Sequence, residues 1–328
     1  MIANLGRYEQ MTYARCGRSG LKLPRFSFGL WHNFGDRDDV SMMRKLVETA
    51  FDHGVTHFDL ANNYAPEPGA AERHFGEMLA TDLAGHRDEL IISTKAGHLM
   101  WPGPYGEWNS RKSLMASIDQ SLKRMKLDYV DIFYSHRPDP DTPLEETMGA
   151  LSDIVRQGKA LYVGLSKYTA DETRRAAAIL KANGTPLLIH QFRYNMFTRG
   201  IEQDGLLDAL EEVGAGGICF SPLAQGLLST RYLKGIPSDS RAARNGFLKA
   251  ETITPELQSR IQRLAMYAES IGLTLPAMAL KWNLRDSRVT SVLVGASRPE
   301  QLLENLNVLK GEPLSLGECC EIEKLLAP

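Results

Sequence analysis

Residues 26–40 read FSFGLWHNFGDRDDV: an apolar, strand-like run passes through a short turn into the start of a helix. In a doubly wound dinucleotide-binding sheet, this first strand-to-helix junction carries G-x-G-x-x-G, because glycine lets the backbone close around a pyrophosphate. Here Gly29 and Gly35 stand apart and that spacing is absent. The architecture must therefore be read from the order of the elements that follow.

Downstream, apolar runs alternate with amphipathic ones. Strands are expected at residues 26–30, 56–60, 90–94, 129–136, 161–166, 187–191, 217–222 and 291–296. Helical periodicity falls between them, for example at 38–54, 110–126, 143–158 and 169–184, with Ser, Thr or Asp at several starts and Gly at several stops. Eight strands each followed by a helix is the count of an α/β fold of the (β/α)8 TIM barrel type. An N-terminal β-hairpin is expected at residues 11–26, turning at GRSG, and the whole chain, 1–328, reads as a single barrel domain. The longest irregular stretches, 96–110 and 223–254, both follow strands and so belong to the barrel's C-terminal face, where long loops act as lids or binding loops.

Composition narrows the partners. Lys and Arg number 38 against 40 Asp and Glu, with no basic stripe, which argues against nucleic acid or an anionic membrane as partner. The first twenty residues hold no apolar signal core and no later run approaches a membrane span, so a cytoplasmic protein is expected. Cys16, Cys219, Cys319 and Cys320 have no CxxC or zinc-like spacing, and reduced thiols are expected. His53 and His57 are four apart, but Gly54 ends the helix between them, so no metal site is expected there.

In a barrel of this kind the site is built at the C-terminal ends of strands. Those ends carry Asp59 with Tyr64 just beyond, then Lys95, His136, Ser166, Gln191, Phe220 and Ser221. Each has a plainer explanation taken singly; Asp59, for instance, is placed to cap the helix that begins in GAAERHFGEML at 69–79. Together they suit proton donation to an oxygen that becomes negative. Lys95 would favour ionisation of the Tyr64 phenol and so ease its proton's departure, Asp59 would counter the Lys95 charge, and His136 would bond the substrate oxygen. No nucleophile motif is present, so hydride from a cofactor fits, while a lyase using Lys95 as a Schiff base stays open.

Six stretches, at 54–72, 92–97, 121–139, 158–168, 220–228 and 292–305, make the chain resemble the aldo-keto reductases over nearly its full length. It is most similar to their bacterial branch acting on glyceraldehyde 3-phosphate and methylglyoxal, and to the related potassium-channel β-subunits. The resemblance implies a catalytic tetrad of Asp59, Tyr64, Lys95 and His136, with Tyr64 as proton donor. It implies NADPH lying extended across the barrel mouth, its carboxamide held by Ser166 and Gln191 and its nicotinamide ring stacked on Phe220. Ser297 and Arg298, read as the first turn of a helix, would with Gln301 take the 2′-phosphate, and Glu304 and Asn305 the adenine edge. Trp31, Asp59, Ser221 and Leu223 join the cofactor set, as do Gln225, Gly226, Arg231 and Gly295. Trp31, Tyr64, Met100, Trp101 and His136 would wall a pocket for small aldehydes and α-dicarbonyls. The kinship also implies a homo-oligomer, and allows an alternative role as an NADPH-binding, redox-sensing regulatory subunit. One departure stands out: Lys167 follows Ser166 where many members have Asn, and is expected to face solvent.

Overall fold

The eight apolar runs pair into one closed parallel sheet in the computed structural model, which describes residues 3–229, 232 and 249–327. An antiparallel hairpin of β1 (Tyr13–Arg15) and β2 (Lys22–Pro24) precedes it, with Tyr13 opposite Pro24. The barrel strands are β3 (Phe26–Gly29), β4 (His57–Asp59), β5 (Ile91–Ala96), β6 (Val130–Ser135), β7 (Ala160–Ser166), β8 (Leu187–Arg193), β9 (Gly216–Phe220) and β10 (Val289–Val294). They close in the order β10-β3-β4-β5-β6-β7-β8-β9, which is the expected (β/α)8 arrangement.

Helices α1 (Val40–Asp52), α2 (Ala70–Ala80), α3 (Arg111–Met125), α4 (Leu144–Arg156) and α5 (Ala170–Ala182) each follow one strand. Where one helix per strand is expected, the last three strands are followed by two. These are α6 (Gly200–Gln203) and α7 (Leu206–Val213) after β8, α8 (Pro255–Ser270) and α9 (Leu275–Asn283) after β9, and α10 (Pro299–Asn307) and α11 (Leu316–Leu326) after β10. Helix starts follow from local chemistry. The side chains of Asp39, Ser110, Thr254 and Thr274 accept first-turn amides, and Thr169 with Glu172, like Ser315 with Glu318, forms a reciprocal capping box.

Alternation along the strands divides the apolar side chains into two sets. Phe28, Phe58, Ile92, Phe133, Leu165 and Val292 join the layer between barrel and helices. Ile91, Ile132, Tyr134, Ile189, Ile218 and Leu293 fill the interior, together with Cys16 and Leu23 from the hairpin. The hairpin thus plugs the N-terminal end of the barrel, where Cys16 Sγ donates to Leu188 O at 3.5 Å. Gly164 pairs with Tyr134, and a Cβ there would lie 2.3 Å from the Tyr134 ring, so glycine is what lets that ring occupy the interior. Cys16 and Cys219 are buried, Cys319 is half-buried and Cys320 exposed, all as free thiols. No described helix is long and apolar enough to cross a membrane.

Candidate active site

The last residue of β4 and the fifth of β5 bring Asp59 and Lys95 together inside the barrel, both wholly buried. Lys95 Nζ donates to Asp59 Oδ2 at 2.5 Å and to Leu60 O at 2.6 Å. Asp59 Oδ1 accepts from Ser93 Oγ at 2.6 Å and from Gln191 Nε2 at 3.2 Å. The helix-cap alternative for Asp59 is therefore overturned: α2 starts from Gly69, and both Asp59 oxygens are engaged within the barrel. The Schiff-base alternative likewise finds no exposed amine, since Lys95 is enclosed and its protons point at two acceptors.

A turn closed by the Tyr64 amide donating to Ala61 O at 3.1 Å brings the Tyr64 ring over this pair. Lys95 Nζ lies 4.8 Å from the ring centroid. The His136 ring stands edge-on at 5.9 Å and the Trp31 ring lies at 6.3 Å, completing a compact aromatic group. Tyr64 and His136 are 8% and 6% exposed, so each shows only an edge to the cavity they line. His136 Nδ1 has no hydrogen-bond partner among the described residues.

Beneath them runs a polar column inside the barrel. Ser291 Oγ and Ser27 Oγ are 2.7 Å apart, Ser27 meets His57 Nδ1 at 2.8 Å, and His57 Nε2 meets Ser93 Oγ at 3.0 Å. Ser93 then donates to Asp59. Alternation explains the column: Ser27, His57, Ser93 and Ser291 share the interior face with Asp59 and Lys95. His53 points elsewhere, its Nδ1 meeting Thr49 O at 2.8 Å, so the two histidines do not converge. Among the described residues no group of three His, Cys, Asp or Glu is placed to hold a metal ion.

Burial governs the electrostatics. It holds His57 neutral, down to about 4, and with the Lys95 charge keeps His136 well below the usual imidazole range. Burial first, then Asp59, raises Tyr64 well above its ordinary value of 10. This reverses the expected acidification of the phenol by Lys95. The reason is geometric: Asp59 neutralises the ammonium at 2.5 Å, and a nearly dry site penalises phenolate. Lys95 itself is lowered by burial against the opposing pull of Asp59.

A cavity of about 1550 Å³ opens above this group. Trp31, Tyr64 and His136 line it near β3, β4 and β6, while Gln191, Phe220 and Ser221 line it at β8 and β9. Leu223, Gln225 and Gly226 follow β9, and Gly295, Ser297, Arg298, Gln301, Glu304 and Asn305 line the end at α10. Ser166, at the end of β7, is buried and not among the lining residues; among the described residues its Oγ has no partner, nor has the Nδ2 of buried Asn305. Asp59 and Lys95 lie under the lining rather than in it. Arg231 falls outside the described residues.

Two expectations change here, and a third, the solvent-facing Lys167, holds with an added contact. Met100 and Trp101 are not among the lining residues: the loop after β5 folds on itself, Met100 N donating to Gly106 O at 2.8 Å and Trp108 N to Gly97 O at 3.2 Å. His98 lines the cavity in their place. Helix α10 starts at Pro299, so Arg298 is its N-cap and Ser297 precedes it; the Ser297 amide and hydroxyl donate to Gln301 Oε1 at 3.0 and 3.2 Å. Lys167 is exposed, yet it lines the cavity and its Nζ donates to His98 Nε2 at 3.2 Å. Ser93 as a partner of Asp59, and His57 behind Ser93, were also missed, although their spacing of two from Lys95 and Asp59 puts them on the same strand face.

Comparison with known proteins shows the family. The family model described as Aldo/keto reductase family matches residues 25–327. L-glyceraldehyde 3-phosphate reductase of Escherichia coli strain K12 is 53% identical, covering 99% of this chain and 95% of its own. Proteins named probable voltage-gated potassium channel subunit beta are 36% identical in Arabidopsis thaliana, over 93% of each chain, and 35% identical in Oryza sativa subsp. japonica, over 94% of each.

Proposed function

Since the chain belongs to the aldo/keto reductase family of oxidoreductases, we propose that it reduces small aldehydes of the triose phosphate and methylglyoxal type to alcohols, with NADPH as cofactor. One observation carries this reading: a protonated Tyr64 phenol sits at the cavity floor over the buried Lys95–Asp59 pair, with neutral His136 beside it. Tyr64 gives its proton to the substrate's carbonyl oxygen, and Lys95 balances the charge left on the phenolate. His136, kept neutral by burial, orients that oxygen through a hydrogen bond. Asp59 holds the ammonium in position, and Ser93 with Gln191 holds Asp59.

Two buried polar groups suit the cofactor reading, Asn305 in the cavity wall and Ser166 behind it at the end of β7. Among the described residues Ser166 Oγ and Asn305 Nδ2 have no partner, and buried groups are seldom left so unless a ligand or water meets them. Ser166 and Gln191 would hold the carboxamide, Phe220 would face the nicotinamide ring, and Ser297, Arg298 and Gln301 would hold the 2′-phosphate. Trp31, Ser221, Leu223, Gln225, Gly226, Gly295, Glu304 and Asn305 would complete the cradle. Bound NADPH would supply the hydride.

The test is NADPH and NADH consumption with glyceraldehyde 3-phosphate, methylglyoxal and a series of short aldehydes. Turnover with at least one, faster with NADPH, is expected. Tight NADPH binding with negligible turnover on every aldehyde would overturn the catalytic reading and leave a cofactor-sensing subunit, as the similarity to channel β-subunits would allow.

A further inference from the structure

We propose that Lys167, steadied by His98, forms an anion-binding lip on the substrate side of the cavity that takes the phosphate of a short phosphorylated aldehyde. The inference rests on the reductase reading and names the substrate feature that the site selects.

The lip is placed by barrel order. Counting round the ring of eight strands, β6 is fourth from β10 in either direction, so the two stand opposite each other. Arg298 lies just after β10, at the end assigned to the cofactor phosphate. His98 follows β5 and Lys167 follows β7, so their contact straddles β6 and its His136 on the far side of the mouth. The His98 ring also meets the His136 ring edge-on at 4.4 Å. Lys167 therefore belongs to the side where His136 and Tyr64 would hold a carbonyl, facing Arg298 across the opening.

The charge at this lip is uncompensated. The neighbouring cations each have a carboxylate: Lys95 has Asp59, and Arg137 has Glu107. Among the described residues no carboxylate pairs with Lys167. An ammonium is a donor only, so His98 accepts at Nε2 and is neutral, in accord with burial and the nearby Lys167 and Arg137 charges holding it down to about 4. One ammonium proton is thus engaged and the others are available to a ligand. Partial loss of solvent around its ammonium lowers Lys167 to about 8, although the residue as a whole is exposed, and the Lys95 and Arg137 charges nearby add to the shift. The backbone there is unusual too. Lys167 sits at φ 65°, a left-handed conformation that is strained for a residue with a Cβ, and such strain clusters at ligand-binding sites.

The experiment compares glyceraldehyde 3-phosphate with glyceraldehyde in the wild type, Lys167→Met and Lys167→Arg. The ratio of the two kcat/KM values should fall about tenfold or more in the Met variant and stay largely intact in the Arg variant, since a hydrogen bond to a charged group has that worth. Calorimetric binding of glycerol 3-phosphate, which has no carbonyl, to the NADPH-saturated protein reads the lip without turnover, and should weaken by a similar factor in Lys167→Met. An unchanged ratio, or a Met variant that loses NADPH affinity in step with both aldehydes, would overturn the inference. The two readings fail separately. Turnover of both aldehydes with no Lys167-dependent phosphate effect removes only the lip, whereas Lys167-dependent binding of glycerol 3-phosphate without any turnover removes only the reductase.

Discussion

Tyr64 and Lys95 carry the most at the scale of single residues. Tyr64→Phe should lower the rate of reduction by roughly 10²- to 10⁴-fold while leaving NADPH binding near normal, as measured by single-turnover kinetics and cofactor titration. Because burial and Asp59 raise the phenol's pKa, its proton stays in place through pH 10, so the chemical step should not decline between pH 7 and 10 from loss of that proton. A chemical step that halves near pH 8 in wild type, and still does so in His136→Gln and in Lys167→Met, would contradict this. Lys95→Met removes more than a tuning charge. It leaves Asp59 buried and unpaired, which costs roughly 3–5 kcal/mol, so a lower melting temperature should accompany the lost rate. The four residues were legible because polar groups at apolar strand ends are conspicuous. The sign of the Tyr64 shift was not, since it depends on how dry the site is and on the 2.5 Å Lys95–Asp59 contact, neither of which a sequence displays.

The junction between β10 and α10 makes the case at the scale of an element. The positive end of α10 lines the cavity through Ser297, Arg298 and Gln301, with Arg298 at the cap and the Ser297 amide bonded to Gln301. Arg298→Ala should weaken NADPH binding at least about tenfold more than NADH binding, with kcat at saturating cofactor little changed. Equal losses for both cofactors, read by fluorescence titration, would assign Arg298 to the shared part of the dinucleotide or to the fold. The existence of this helix was plain from its periodicity, but its start was displaced: Pro299 suits the first helical position and moves Arg298 to the cap. The loop after β5 was harder. Its Gly and Pro residues announce a turn without saying which way it folds, and two backbone hydrogen bonds were enough to exchange Met100 and Trp101 for His98 at the mouth.

At the scale of the whole molecule, His136 and three other histidines tie stability to pH, His136 lying well below the usual imidazole range. In the folded protein burial holds His57 and His98 down to about 4 and His190 to about 3, whereas an unfolded chain would take up each proton near 6.5. Their contribution is therefore fully present above pH 6.5 and is lost as pH falls toward 4. Melting temperature should drop across that window. His190→Leu should flatten the decline, because His190 is wholly buried and burial is the main cause of its lowered pKa; an equally steep decline in the variant would rule His190 out. Eight apolar runs announced the barrel and GRSG announced the hairpin, but not that the hairpin plugs the barrel's end. The doubled helices after β8, β9 and β10 were not foreseen because a barrel count asks only that each strand be covered. The plug has a further use. Cys16 sits in it with its thiol pushed up to about 12, Cys219 lies in the wall and Cys320 on the surface, so the chain carries three clocks for alkylation. Under mild denaturant, mass spectrometry of trapped protein should find Cys320 modified at once and Cys16 before Cys219, timing the moment the stopper leaves the barrel before the staves part.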